Sequence, residues 1–129
     1  TSLKNFNGIS YDIIEGNKQS KIYMFDGGKK VGYSLVSAKD NVFDQWNLYD
    51  DLEVNPIKKT RSLYIIGISM EDRRVGFGSK LVKHIEEYAN KKGCEYVTLS
   101  SITDSLGFWK KMGFEVYSMG GYYSMYKKL

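Results

Sequence analysis

The chain is poor in the residues that build disulfides and metal centres. Among its 129 residues there is one cysteine, Cys94, and one histidine, His84. A single cysteine excludes a disulfide within the chain. With no second histidine or cysteine to join them, a zinc site is excluded as well. Long apolar runs are also missing. The strongest, Leu63 to Ile68, is far shorter than the roughly 20 residues of a membrane-crossing helix. The N-terminus is polar and lacks the apolar segment of a secretory signal. Basic residues form no block or stripe: the lysines are scattered in pairs such as Lys29-Lys30, Lys58-Lys59 and Lys110-Lys111. That pattern argues against a nucleic-acid partner. No internal repeat or low-complexity tract occurs. The expectation is a cytoplasmic protein with neither membrane nor nucleic acid as partner.

What is present is ordinary for a folded domain. Hydrophobic residues make up 42% and charged residues 26%, the proportions of a globular chain. The length suits one domain spanning residues 1–129, large enough to bury its own core. Eleven tyrosines and six phenylalanines need a core or a partner surface to cover them. The formal net charge of +4 is compatible with an anionic small molecule such as a nucleotide cofactor.

The first half reads as strands. Ile9 to Glu15 is rich in β-formers and ends at Gly16-Asn17. Lys21 to Phe25 alternates polar and apolar residues, Asp26-Gly27-Gly28 is a turn, and Val31 to Ser37 completes a hairpin. Asn41 to Pro56 has no clean period and reads as a long acidic loop with room for a short helix. Ser62 to Ser69 predicts a strand buried on both faces. From Gly78 to Lys92, Leu81, Val82, Ile85, Tyr88 and Ala89 fall on one helical face. Lys91 and Lys92 suit the negative end of that helix, and Gly93 stops it. His84 falls on the polar side and Cys94 opens the next strand, Glu95 to Ser100, as packing. Asp104 or Ser105 is placed to cap a short helix running to Lys111. Strands near Phe114 to Ser118 and Tyr122 to Lys128 then flank Gly120-Gly121 as a terminal hairpin. This order predicts a mixed α/β sheet, with a helix crossing between two neighbouring parallel strands.

Chemistry is concentrated where the best strand meets the best helix. Between them lies Arg73-Arg74-Val75-Gly76-Phe77-Gly78-Ser79. Glycine lets the backbone take positive φ and approach a ligand closely. The first amides of the helix and its positive end favour phosphate, and two arginines add charge-assisted donors. Such a strand–loop–helix arrangement is a cradle for a phosphorylated cofactor.

Arg73-x-x-Gly76-x-Gly78 resembles the pyrophosphate-binding signature of the GNAT acetyltransferase superfamily, Q/R-x-x-G-x-G/A. Ile66-Gly67-Ile68 looks like the family strand that pairs with the pantetheine arm. Gly107 to Phe114 is similar to its F-Y-x-K-x-G-F element. The resemblance covers the second half of the chain. It implies a GNAT-like mixed sheet with an acetyl-CoA cradle and a C-terminal β-hairpin. Its implied cofactor set is Ile66, Gly67, Ile68, Arg73 to Ser79, Asp104 and Ser105. The implied reaction is transfer of an acetyl group from acetyl-CoA to a primary amine on a protein or small molecule. The terminal hairpin leaves an edge for a homodimer.

The chain departs from the family in three places. Trp109 stands where the family keeps a tyrosine that protonates the leaving thiolate, and an indole N–H does not serve as that acid. The stretch Arg61-Ser62-Leu63-Tyr64 carries no carboxylate where the family often keeps a glutamate. No amphipathic helices are legible between the first and second strands, where the family places a pair that walls the acceptor pocket. Tyr64, with Ser62 relaying through water, is the candidate phenol. Tyr122, Tyr123 and Tyr126 are further candidates, and Asp50, Asp51 or Glu53 is a candidate base. Each of these also reads as packing or as a solvated loop. A GNAT-fold module that binds acetyl-CoA or a protein partner without catalysis is the alternative function.

Overall fold

The computed structural model describes residues 8–40, 61–73 and 76–129. The described strands are β1 (Ile9–Glu15), β2 (Ser20–Asp26), β3 (Lys29–Asp40), β4 (Arg61–Met70), β5 (Tyr96–Ser101), β6 (Glu115–Gly120) and β7 (Tyr122–Lys128). Two helices, α1 (Phe77–Lys91) and α2 (Thr103–Lys111), follow β4 and β5 respectively. The strands form one sheet in the order β1-β2-β3-β4-β5-β7-β6. All pairings are antiparallel except β4 with β5, which α1 connects. The mixed α/β sheet, the crossover helix and the terminal hairpin are as expected from the sequence.

Alternation sends Leu63, Ile65, Val97, Leu99 and Met125 to one face, where they join Leu81, Val82 and Ile85 of α1 and Trp109 of α2 in a single buried cluster. Gly93, at φ 79, ends α1 in the left-handed region. The Cys94 amide bonds back to the Ala89 carbonyl at 2.9 Å, and its side chain is buried as packing.

Several expectations need correction. β4 is enclosed only in its first half: Ser62, Leu63 and Ile65 are buried, whereas Ile66, Gly67 and Ser69 are exposed. The apolar run is genuine, but its second half leaves the β4–β5 pairing. The cap of α2 is Ile102, in extended backbone, with no side-chain capping bond. Asp104 and Ser105 lie inside the first turn, where the Asp104 carboxylate suits the positive helix end instead. His84 is half-buried rather than a surface residue, because the Tyr11 ring stacks on it at 3.8 Å and an interplanar angle of 5°. One expectation holds: no helix pair stands between the first two strands, since residues 16–19 alone join β1 to β2. The expected acidic loop, Asn41 to Pro56, lies outside the described residues.

Candidate functional site

A fork in the sheet organises the site. β4 and β5 pair in parallel from Ser62 opposite Tyr96 to Ile65 opposite Leu99. Beyond that point β4 runs on to Met70 paired only with β3, and β5 runs on to Ser101 paired only with β7. The β3–β4 register slips between Leu35–Gly67 and Val36–Ile65. Ile66 is therefore an extra residue, the local signature of a bulge that bends a strand and re-aims its side chains. It stands 45% exposed at the crotch of the fork.

The helix side of the fork begins at Gly76, with φ 91. A Cβ built there meets nothing within 4 Å, so the backbone angle, not crowding, calls for glycine. Phe77 anchors the helix start in the core. The first intrahelical bond runs from the Lys80 amide to the Gly76 carbonyl at 3.0 Å. The Gly78 and Ser79 amides thus have no intrahelical acceptor. No acidic residue occupies the first turn and no side chain caps it. This leaves a helix end open to an anion. Arg73 is exposed just before it, whereas Arg74 and Val75 lie outside the described residues. Behind Gly78 is the Phe108 ring of α2, 3.5 Å from where a Cβ would stand. Phe108 and Ile102 are, like Ile66, exposed apolar residues. Anion-seeking amides and an apolar lining therefore meet at the C-terminal ends of β4 and β5.

Hydroxyls populate the other face of the sheet beside the fork. The Tyr64 hydroxyl donates to Ser100 Oγ at 3.2 Å. Ser100 is the first residue of β5 beyond the pairing with β4, and it faces Ser124 across β7. Ser124 in turn hydrogen-bonds Tyr117. Burial holds the Tyr117 phenol well above the usual tyrosine range, and neighbouring Tyr64 adds to this. Tyr117 is thus a donor that stays protonated. Ser62 and Thr98 are fully buried on this same face, and neither hydroxyl has a hydrogen-bond partner among the described residues. Ser62 is a core hydroxyl rather than a group open to a substrate.

The remaining candidates separate. Tyr126 bonds Glu115 at 3.4 Å, and burial raises its pKa. Tyr123 packs against the helix-side core, and Tyr122 is exposed at the hairpin tip. Trp109 is buried, with its ring edge-on to Phe108 and Phe114 at 5.0 and 5.3 Å. Asp50, Asp51 and Glu53 lie outside the described residues. Sequence reasoning missed Ser100, Ser124 and Tyr117. Alternation within β7 puts Ser124 and Tyr126 on one face, but Tyr117 sits at a register slip between Val116 and Ser118 that no local pattern reveals. Among the described residues no cluster of metal-ligating side chains occurs, and no helix is long and apolar enough to cross a membrane.

The sequence pattern of the acetyltransferase (GNAT) family matches residues 5–114. No curated protein matches the sequence significantly. Solved structures do match in shape. A Bacillus subtilis acetyltransferase in complex with CoA is 13% identical, with a TM-score of 0.68 over 94% of this chain and 99% of its own. The PaiA N-acetyltransferase of Thermoplasma acidophilum, in complex with coenzyme A, is 16% identical with a TM-score of 0.62. That match covers 84% of this chain but only 60% of the Thermoplasma protein. Arabidopsis thaliana Naa50, bound to the bisubstrate analogue CoA-Ac-MVNAL, is 17% identical with a TM-score of 0.58 over 84% of this chain and 72% of its own.

Proposed function

Because the chain belongs to the GNAT acetyltransferase family, we propose that it moves an acetyl group from acetyl-CoA to a primary amine. The acceptor would be a protein lysine, an N-terminus or a small amine. One observation carries the reading: the strand fork opens beside a helix start that begins on a positive-φ glycine and has no acidic residue or side-chain cap. That combination fits a ligand with an anionic end and an extended, partly apolar arm. Arg73 and the amides of Gly78 and Ser79 would hold the pyrophosphate. Ile66, Gly67 and Ile68 would border the arm along the edge of β4 that leaves β5, with Ile102 and Phe108 opposite. The cofactor supplies an activated thioester.

The residues of this chain would then do three things. The fork fixes the acyl group beside Tyr64. The Tyr64 phenol has one proton, so it would turn that proton from Ser100 to the acyl oxygen or the departing sulfur as negative charge builds there, while the Ser100 hydroxyl donates to it instead. Tyr117 and Ser124 support it from the next strands. The attacking amine must be neutral, so its proton leaves to a base or to water.

A second reading has one observation in its favour. Trp109, at the position of the family's tyrosine, is buried against two phenylalanines and offers no acid. On that reading the chain binds acetyl-CoA without turnover. Following free CoA release with acetyl-CoA and a panel of amines and peptides separates the two. Release that depends on an amine supports transfer. Thermal stabilisation by acetyl-CoA with no release supports the binding module.

A further inference from the structure

The strand order β4-β5-β7-β6 sets a row of four hydroxyls across the sheet face that Tyr64 shares. We propose that Tyr117, at the far end of this row, is a positioning residue for Tyr64, acting through a one-way chain that runs from Tyr117 to Ser124, Ser100 and Tyr64. Its effect on turnover rests on the acetyl-transfer reading, whereas the chain itself does not. Tyr64 bonds Ser100 at 3.2 Å, Ser100 pairs with Ser124 across β5 and β7, and Ser124 bonds Tyr117. Tyr117 owes its place to a break in register. Val116 pairs with Met125 and Ser118 with Ser124, so two residues that strict alternation would put on one face oppose consecutive residues of β7. Tyr117 is the extra residue between them, and such a bulge re-aims its side chain. Its ring then meets the Tyr126 ring edge-on at 6.0 Å, which holds it against β7.

The direction of the chain follows from its end. Each hydroxyl has one proton to give and lone pairs with which to accept. Ser100 and Ser124 occupy directly paired positions, where Cβ atoms stand roughly 4.5–5.5 Å apart and serine side chains bond across strands. When Tyr64 turns its proton to a ligand, its oxygen accepts from Ser100, Ser100 accepts from Ser124, and Ser124 accepts from Tyr117. Only hydroxyl rotation is needed, so no O–H bond breaks and no charge moves along the row. Burial holds the Tyr117 phenol above the usual tyrosine range, so it remains the donor that starts the chain. Ser124 is only 3% exposed, which shields the middle of the row from bulk water. Bonds in such a row polarise one another, strengthening each by about 10–30%. The neighbouring phenol of Tyr126 bonds Glu115 at 3.4 Å instead and stands outside the row.

Protein carrying carbon-13 at every tyrosine Cζ tests this, because the resonance of a phenol at neutral pH reports its hydrogen bonding. The Tyr64 line is the one lost in Tyr64→Phe. Tyr117→Phe and Ser124→Ala are each expected to shift that line, although neither residue is its bonded partner, and neither shifts it once Ser100 is replaced by alanine. In turnover, Tyr117→Phe lowers kcat about threefold with the KM for acetyl-CoA unchanged, and has no further effect in Tyr64→Phe, since residues acting through one another are not additive. Each variant's own spectrum reports folding, and Ser124→Ala cuts the same chain should Tyr117→Phe not fold. A Tyr64 line unmoved by either variant, a shift that persists in the Ser100→Ala background, or an equal loss of kcat in the Tyr64→Phe background would each overturn the proposal. A wild type that releases no CoA would instead remove the acetyl-transfer reading, and the resonances would still decide whether the chain exists.

Discussion

The Tyr64 hydroxyl reaches Ser100 Oγ at 3.2 Å, bridging β4 and β5 at the level where the two strands part. A phenol held by one neighbour at a strand fork is oriented for a ligand lying in that fork. If it donates to charge that develops during acyl transfer, Tyr64→Phe lowers kcat by about tenfold or more. KM for acetyl-CoA changes little, because the ring and its packing remain. Ser100→Ala lowers kcat less, since it removes only the orienting partner. Steady-state kinetics of both variants check this, and equal kcat for wild type and Tyr64→Phe would remove Tyr64 from the chemistry.

Gly76 is expected to be intolerant of any side chain. Its φ of 91 is left-handed, which costs an L-residue roughly 1–2 kcal/mol. Empty space around its Cβ position means that Gly76→Ala folds, with a lowered melting temperature. Where the loop relaxes to relieve that strain, the Gly78 and Ser79 amides shift, and acetyl-CoA stabilises the variant less than the wild type. Denaturant melts with and without acetyl-CoA measure both effects together.

The helix behind the fork depends on its buried face. Leu81 and Ile85 are fully buried between α1 and the sheet. Leu81→Ala should cost about 2–5 kcal/mol by lost burial and the cavity left behind. A urea midpoint moved by less than the equivalent of 1 kcal/mol would show that this packing is wrong.

Acid stability should fall in two steps of the same sign. Burial lowers the His84 pKa from 6.5, with Lys91 adding to this against the opposing Glu87. The unfolded state therefore takes up a proton first, and stability declines as pH drops below about 6.5. Glu15 is also lowered, mainly by its bond from Tyr88 and then by Lys92. Its contribution is full above the unfolded carboxylate value of 4.5 and is lost as pH falls through the folded one. Glu15→Gln should flatten the acidic limb, and His84→Gln the decline that begins near neutrality. Melting temperatures from pH 3 to 8 check both.

Much of this architecture was legible from periodicity. β1 was placed over Ile9–Glu15, and α1 within one residue at each end, because apolar spacing and Gly93 fix them locally. The run Leu63 to Ile68 misled for a physical reason. Burial depends on how far a neighbouring strand extends, and β5 stops pairing at Leu99. The same long-range fact creates the fork, where periodicity alone reads Ile66-Gly67-Ile68 as core and the family resemblance sets it beside the cofactor. His84 was misplaced likewise, because its cover comes from Tyr11, distant in sequence. Gly76 was legible because a strand, a glycine and a helix start are neighbours in the chain. Ser100, Ser124 and Tyr117 were not, because only the strand order β4-β5-β7-β6 brings them beside Tyr64.

Calorimetric titration of acetyl-CoA into the wild-type protein and into Gly76→Val tests the cradle most directly. The account predicts saturable one-to-one binding to the wild type, with ~2.7 kcal/mol of added stability at a hundredfold excess over Kd. Binding should be lost in the folded variant. No heat with the wild type, or equal affinity in both proteins, would contradict it.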